Sequence, residues 1–231
     1  MKRFWKEATV EREEGGWSIR LDNRPVKTPA RKPLAVPSKA LAEAIAEEWR
    51  SVDDQIDPRA MPLTGLANAA IDRVAPEREA FASGLSRYAE ADLACYRAEG
   101  PAALVARQEQ SWDPLLAWAR RRFDVDFATT SGILHVDQPP GTVEQLSHAV
   151  AALDVFHLAG LSPLVTLGGS LIAALAVLEQ AMTTEEAWNA ISLDERWQLE
   201  QWGADAEAEL ALESRHQDFF VAARFLDLLD S

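Results

Sequence analysis

Leu158-Ala159-Gly160-Leu161-Ser162-Pro163-Leu164-Val165-Thr166-Leu167-Gly168-Gly169-Ser170-Leu171-Ile172-Ala173-Ala174-Leu175-Ala176-Val177-Leu178 is a run of 21 residues without a charge, and its reading decides the fold. By length alone it would cross a bilayer as a helix. Ser162-Pro163 and Gly168-Gly169-Ser170 interrupt it, and the flanking charges, Asp154 and Glu179, are acidic rather than cationic anchors. The run is therefore no membrane span but a central helix that opens at Ser162-Pro163 and is buried on most sides.

The surrounding chain is mostly helical after Pro37. Ser38 is an N-cap, and Leu41, Ala42, Ile45, Ala46 and Trp49 make one apolar stripe. Met61-Pro62-Leu63-Thr64 opens a second helix that runs through Val74. Phe81, Leu85, Tyr88 and Leu93 mark a third. Residues 102–110 form a fourth, ending near Trp112-Asp113, where Asp113 caps a new helix with Pro114 at its first position. Phe127 to Val136 reads as a β-hairpin around Ser131-Gly132. Thr142 with Gln145, Thr183 with Glu186 and Ser192 with Glu195 have capping-box spacing. A last helix carries Phe219, Phe220, Ala223, Phe225, Leu226 and Leu229.

Before Pro37 the period changes. Lys6 to Arg12 and Trp17 to Leu21 alternate as strands around Glu14-Gly15-Gly16, and Asp22-Asn23-Arg24-Pro25 reads as a second turn. Val26 to Pro29 and Leu34 to Pro37 suit edge strands, where proline is tolerated. The expected class is α+β. A small β-rich domain, residues 1–37, precedes a larger, mostly α-helical domain, residues 38–231, with a minor β-hairpin.

Residues 1–33 hold nine Lys/Arg against five Asp/Glu, whereas the whole chain carries a formal charge of −14. That net charge argues against nucleic acid as the main partner, and a basic head on an acidic body fits two domains with different surfaces. Cys95 is the only cysteine, which excludes an internal disulfide and a thiolate metal cluster. The start, Met1-Lys2-Arg3-Phe4-Trp5-Lys6-Glu7, has no targeting pattern, so the expected location is cytoplasmic. An acidic monomer is the default.

No phosphate loop, dinucleotide fingerprint or nucleophile elbow is present. The histidines, His135, His148, His157 and His216, are not paired at helical spacing. No cofactor is implied. What remains is Asp194 to Ala208, read as a single helix crowded with acids, Trp197, Trp202 and Gly203. Asp205, Glu209 and Glu213 recur every four residues and line one face, which reads as a solvated face, as ligands for a divalent cation in a carboxylate enzyme, or as a docking surface for a basic partner. Glu195 is claimed by the capping box with Ser192. Trp197, Trp202 and Trp49 are expected in packing.

Several blocks resemble the assembly chaperone of the ATP synthase catalytic head. They are Arg3-Phe4-Trp5-Lys6, Leu21 to Pro29, Ala46-Glu47-Glu48-Trp49, Met61-Pro62-Leu63-Thr64, Asp92 to Ala98, Gln108 with Trp112 to Leu115, Gly169-Ser170-Leu171 and Asp194 to Ala208. They span nearly the whole chain, with Asn23 where the family would have glycine. The resemblance implies an ATP-independent, non-enzymatic chaperone that binds the isolated alpha subunit and prevents its self-association until the beta subunit replaces it. It implies mitochondrial relatives in eukaryotes. It also makes Glu195, Asp205 and Glu207 the residues to test for client binding, with Trp202 and Trp49 beside them.

Overall fold

The computed structural model describes residues 2–203 and 205–231; Met1 and Ala204, which fall in two of the stretches read above, lie outside the described residues. The chain divides into two compact units. One comprises Met1–Arg78, Asp154–Gly160 and Arg224–Ser231, and the other Glu79–Leu153 and Leu161–Ala223. The division does not follow the 37/38 boundary expected from composition, because the first helices pack on the sheet.

In the first unit, β1 (Ala8–Glu13) and β2 (Gly16–Leu21) form the expected hairpin, with Val10 opposite Ile19. β3 (Arg24–Pro25) and β4 (Ala35–Val36) both pair antiparallel with β2. The turn between β2 and β3 puts Asp22 and Asn23 at φ 47° and 68°, a conformation Asn tolerates nearly as well as glycine. α1 (Lys39–Arg50) is capped by Ser38 and buries the predicted stripe. Trp5 stacks edge-on against Trp49 at 5.3 Å and donates its indole N–H to the Trp49 carbonyl at 3.2 Å.

α2 (Pro62–Ala69) continues through a widened turn over Ala70–Val74. Its start is held by Glu48 of α1, whose carboxylate accepts from the Leu63 and Thr64 N–H groups at 2.7 and 2.8 Å and from the Thr64 hydroxyl at 2.6 Å. Two of the blocks read from sequence are thus the two halves of one joint.

The second unit begins with α3 (Arg78–Ser86), which continues from Arg78 of the first unit. It includes a short β5 (Tyr96–Arg97), α4 (Ala102–Phe123), β6 (Thr130–Ser131) and α5 (Pro140–Ala151). α4 is one helix with Pro114 inside it, not two helices meeting at Asp113. An internal proline costs about 3 kcal/mol. Burial of Trp112, Leu115 and Leu116 outweighs that, at about 1.5–3 kcal/mol for each such side chain.

The expected hairpin at 127–136 is absent. β6 instead pairs in parallel with β5, and the Gly132 N–H donates to the Arg97 carbonyl at 2.9 Å. Ile133 and Leu134 point into solvent, so no buried face holds a hairpin in register. Thr142 does not cap either. It lies inside α5 and donates its hydroxyl to the Asp126 carbonyl at 2.5 Å.

The uncharged run forms two helices. α6 (Val155–Gly168) starts before Pro163 and encloses it, and α7 (Leu171–Leu178) follows after a break at Gly169, φ 65°. Ser170 caps α7, and the stretch Leu171 to Val177 is buried throughout. Among the described residues no helix is long and apolar enough to cross a membrane.

Asp92 is the hub of this break. Its fully buried carboxylate accepts from the Ser170 hydroxyl at 2.8 Å and from the Ile172 and Ala94 N–H groups at 3.0 Å each. Desolvation pushes its pKa up to about 6, against the opposing pull of those bonds. Burial beside that carboxylate pushes the Cys95 thiol up to about 12, leaving it protonated and inert.

Candidate functional site

The chain ends in α8 (Thr184–Ile191), α9 (Leu193–Trp202) and α10 (Ala206–Leu229). Thr183 and Glu186 make the predicted capping box at the start of α8. Asp194 to Ala208 is not a single helix. Gly203, at φ 89°, stops α9, a conformation that strains any residue with a Cβ. Asp205 then starts α10: its side chain accepts from the Glu207 N–H at 3.0 Å and its carbonyl from the Glu209 N–H at 2.9 Å. The sequence and its four-residue acid spacing ran across an elbow.

α9 has no fully buried residue. It is attached by polar tethers. Gln108, itself buried, donates to Asp194 at 2.7 Å and accepts from the Ala98 N–H at 2.8 Å. Arg107 bonds Glu200 at 2.7 Å and lies 4.6 Å over the Trp197 ring. Exposed ion pairs and cation–π contacts contribute about 1 kcal/mol each or less. α9 is therefore among the more weakly held elements, while Trp112 anchors α8 by donating its indole N–H to the Ala190 carbonyl at 2.8 Å.

The predicted site residues separate. Glu195 is no capping residue. Ser192 turns its hydroxyl back to the Trp188 carbonyl at 2.7 Å, and Glu195 pairs with Arg215 of α10. Arg215 was missed by the sequence reading, although it is the only Lys or Arg between Arg196 and Arg224. Asp205 and Glu207 are exposed at the elbow. Trp202, expected in packing, is 82% exposed, and Leu210 on α10 is 72% exposed. Trp49, by contrast, is 9% exposed in the core of the first unit. Among the described residues no group of three or more His, Cys, Asp or Glu side chains is placed to hold a metal ion.

An open cleft of about 350 Å³ lies between α8, α9 and α10. Trp188, Leu199 and Leu212 line it, together with Glu185, Glu209 and Glu213. His216 sits there too, against the rings of Trp188 at 5.1 Å and Phe220 at 4.4 Å. The cleft thus joins an apolar lining to acidic side chains on α8 and α10.

Comparison with known proteins places the chain among chaperones. Residues 2–120 match the family described as ATP12 chaperone protein. The protein atp12, mitochondrial, of Schizosaccharomyces pombe is 27% identical over 219 residues, covering 90% of this chain and 75% of that protein. The crystal structure of Atp12 from Paracoccus denitrificans superposes with a TM-score of 0.95 at 45% identity, covering 99% of this chain and 98% of that one. A proposed chaperone from Agrobacterium tumefaciens gives 0.92 at 40% identity, covering 100% and 85%.

Proposed function

The chain belongs to the ATP12 chaperone family, and from that premise we propose that it is an assembly chaperone of the ATP synthase catalytic head. It holds the isolated alpha subunit, without ATP, until the beta subunit takes its place. It acts in the bacterial cytoplasm, as the counterpart of its mitochondrial relatives. The observation that carries this reading is the exposed Trp202 near Asp205 and Glu207 at the elbow, both of them exposed, with Asp205 accepting one local bond from the Glu207 N–H.

A surface tryptophan next to carboxylates offers an apolar anchor with charge selection around it. Glu195 has a positioning role here, since its exposed pair with Arg215 links α9 to α10. No reaction step is assigned, because the elbow brings together no nucleophile and base.

Size-exclusion chromatography of the purified chain with isolated alpha subunit tests the proposal. A stoichiometric complex is expected, displaced by beta subunit and weakened at least tenfold by Trp202→Ala combined with Glu207→Lys. Absence of co-elution with wild-type chain would sink it.

A further inference from the structure

We infer that the cleft between α8, α9 and α10 receives one large apolar side chain from a lysine- or arginine-rich segment of the client. This rests on the chaperone reading above and specifies the kind of segment bound. At about 350 Å³ the cleft is near the lower end of ligand-pocket sizes, suited to a side chain or two rather than a whole helix. Its floor is apolar: the Trp188 ring, Leu199 and Leu212.

Its rim is acidic. Glu185 comes from α8, and Glu209 and Glu213 come from one face of α10, against Arg196 as the one full cation lining the cleft. Arg196 is already engaged with Asn189. The floor continues outward, because Trp202 lies three residues beyond Leu199, on the neighbouring turn of α9. An apolar anchor flanked by basic residues is complementary to both features. A bare acidic peptide would be repelled by the rim, and a neutral apolar one would bring no countercharge to Glu185 and Glu213, which accept from the neutral amides of Asn189 at 3.3 Å and Gln217 at 3.0 Å and each lie 3.8 Å from His216.

The test uses the full chain and isolated alpha subunit. Wild-type binding should weaken steeply with added salt. Glu209→Lys with Glu213→Lys, both at exposed positions, should reduce affinity at least tenfold, and Leu212→Asp should do the same at unchanged salt dependence. A benzoylphenylalanine placed at Leu212 should cross-link to an alpha-subunit peptide holding a large apolar residue beside Lys or Arg, while the same probe at Arg59 should not.

If wild-type chain binds and both variants bind equally well, or the cross-link maps to an acidic segment, the cleft assignment is overturned and the chaperone reading stands. If wild-type chain does not bind alpha subunit at all, both fall together.

Discussion

Asp92 and Asp205 do the same local chemistry in opposite surroundings. Each carboxylate accepts the N–H two residues on: Asp92 from Ala94, Asp205 from Glu207. Asp92 goes further and ties its own loop to the start of α7, a sequence separation of 78 residues to Ser170. All its capacity is spent inside the protein. Asp205 stays exposed, and the rest of its charge faces water. The contrast separates framework from contact surface: a carboxylate with several internal donors belongs to the fold, and one with a single local donor is available to a partner.

The comparison breaks most visibly at Asp92. Asp92→Ala strands three buried donors, each costing about 1–3 kcal/mol, so a loss of roughly 4 kcal/mol is expected in urea unfolding. Asp205→Ala removes one exposed cap and should cost about 1 kcal/mol while weakening client binding. Asp92 also sets a pH signature. Its folded pKa, about 6, lies above the unfolded value near 3.8, so ionisation is disfavoured in the folded state. Wild-type stability should therefore fall as pH rises from about 4 to about 6, by up to about 3 kcal/mol, and Asp92→Asn should flatten that slope. A flat wild-type profile would mean Asp92 is not desolvated.

The two tryptophans sharpen the same contrast. Trp49→Ala empties a core site against Trp5 and should cost about 3 kcal/mol. Trp202→Ala should change stability by less than about 0.5 kcal/mol, measured by thermal unfolding. If the two losses are equal, the elbow is a packed element and Trp202 is no anchor.

A modest effect concerns His157, which also holds carboxylates inside the fold. Its ring bonds Asp154 at 2.8 Å and Asp230 at 3.2 Å. The Asp154 contact raises the histidine pKa above its ordinary value, and the same bond holds Asp154 down to about 2. A raised histidine stabilises the fold fully below its unfolded pKa, and that contribution is lost as pH rises through the folded value. Stability should thus decline above about pH 6.5, by no more than about 1 kcal/mol for this partly exposed group, and His157→Gln should remove the decline. A histidine titration followed by NMR checks the direction.

Much of the fold was legible because its signals are local. The β1–β2 hairpin, the α1 stripe, the Ser38 cap and the Thr183–Glu186 box each lie within a turn or two of chain. The prolines misled for a physical reason: Pro114 and Pro163 look like helix starts, but burial of neighbouring leucines and Trp112 overrides their cost. The acids of the candidate site were legible as a cluster. Their sorting was not, because Gly203 breaks the helix that the four-residue spacing assumed.

The sequence by itself determined the element types and the family, through period, caps and ordered blocks. Only the tertiary structure decided which polar groups are spent. Ser192 and Glu195 have the spacing of a box, yet Ser192 turns to Trp188 and Glu195 to Arg215, 20 residues away. A side chain takes the best partner within reach in space, and spacing along one helix lists only those within a turn.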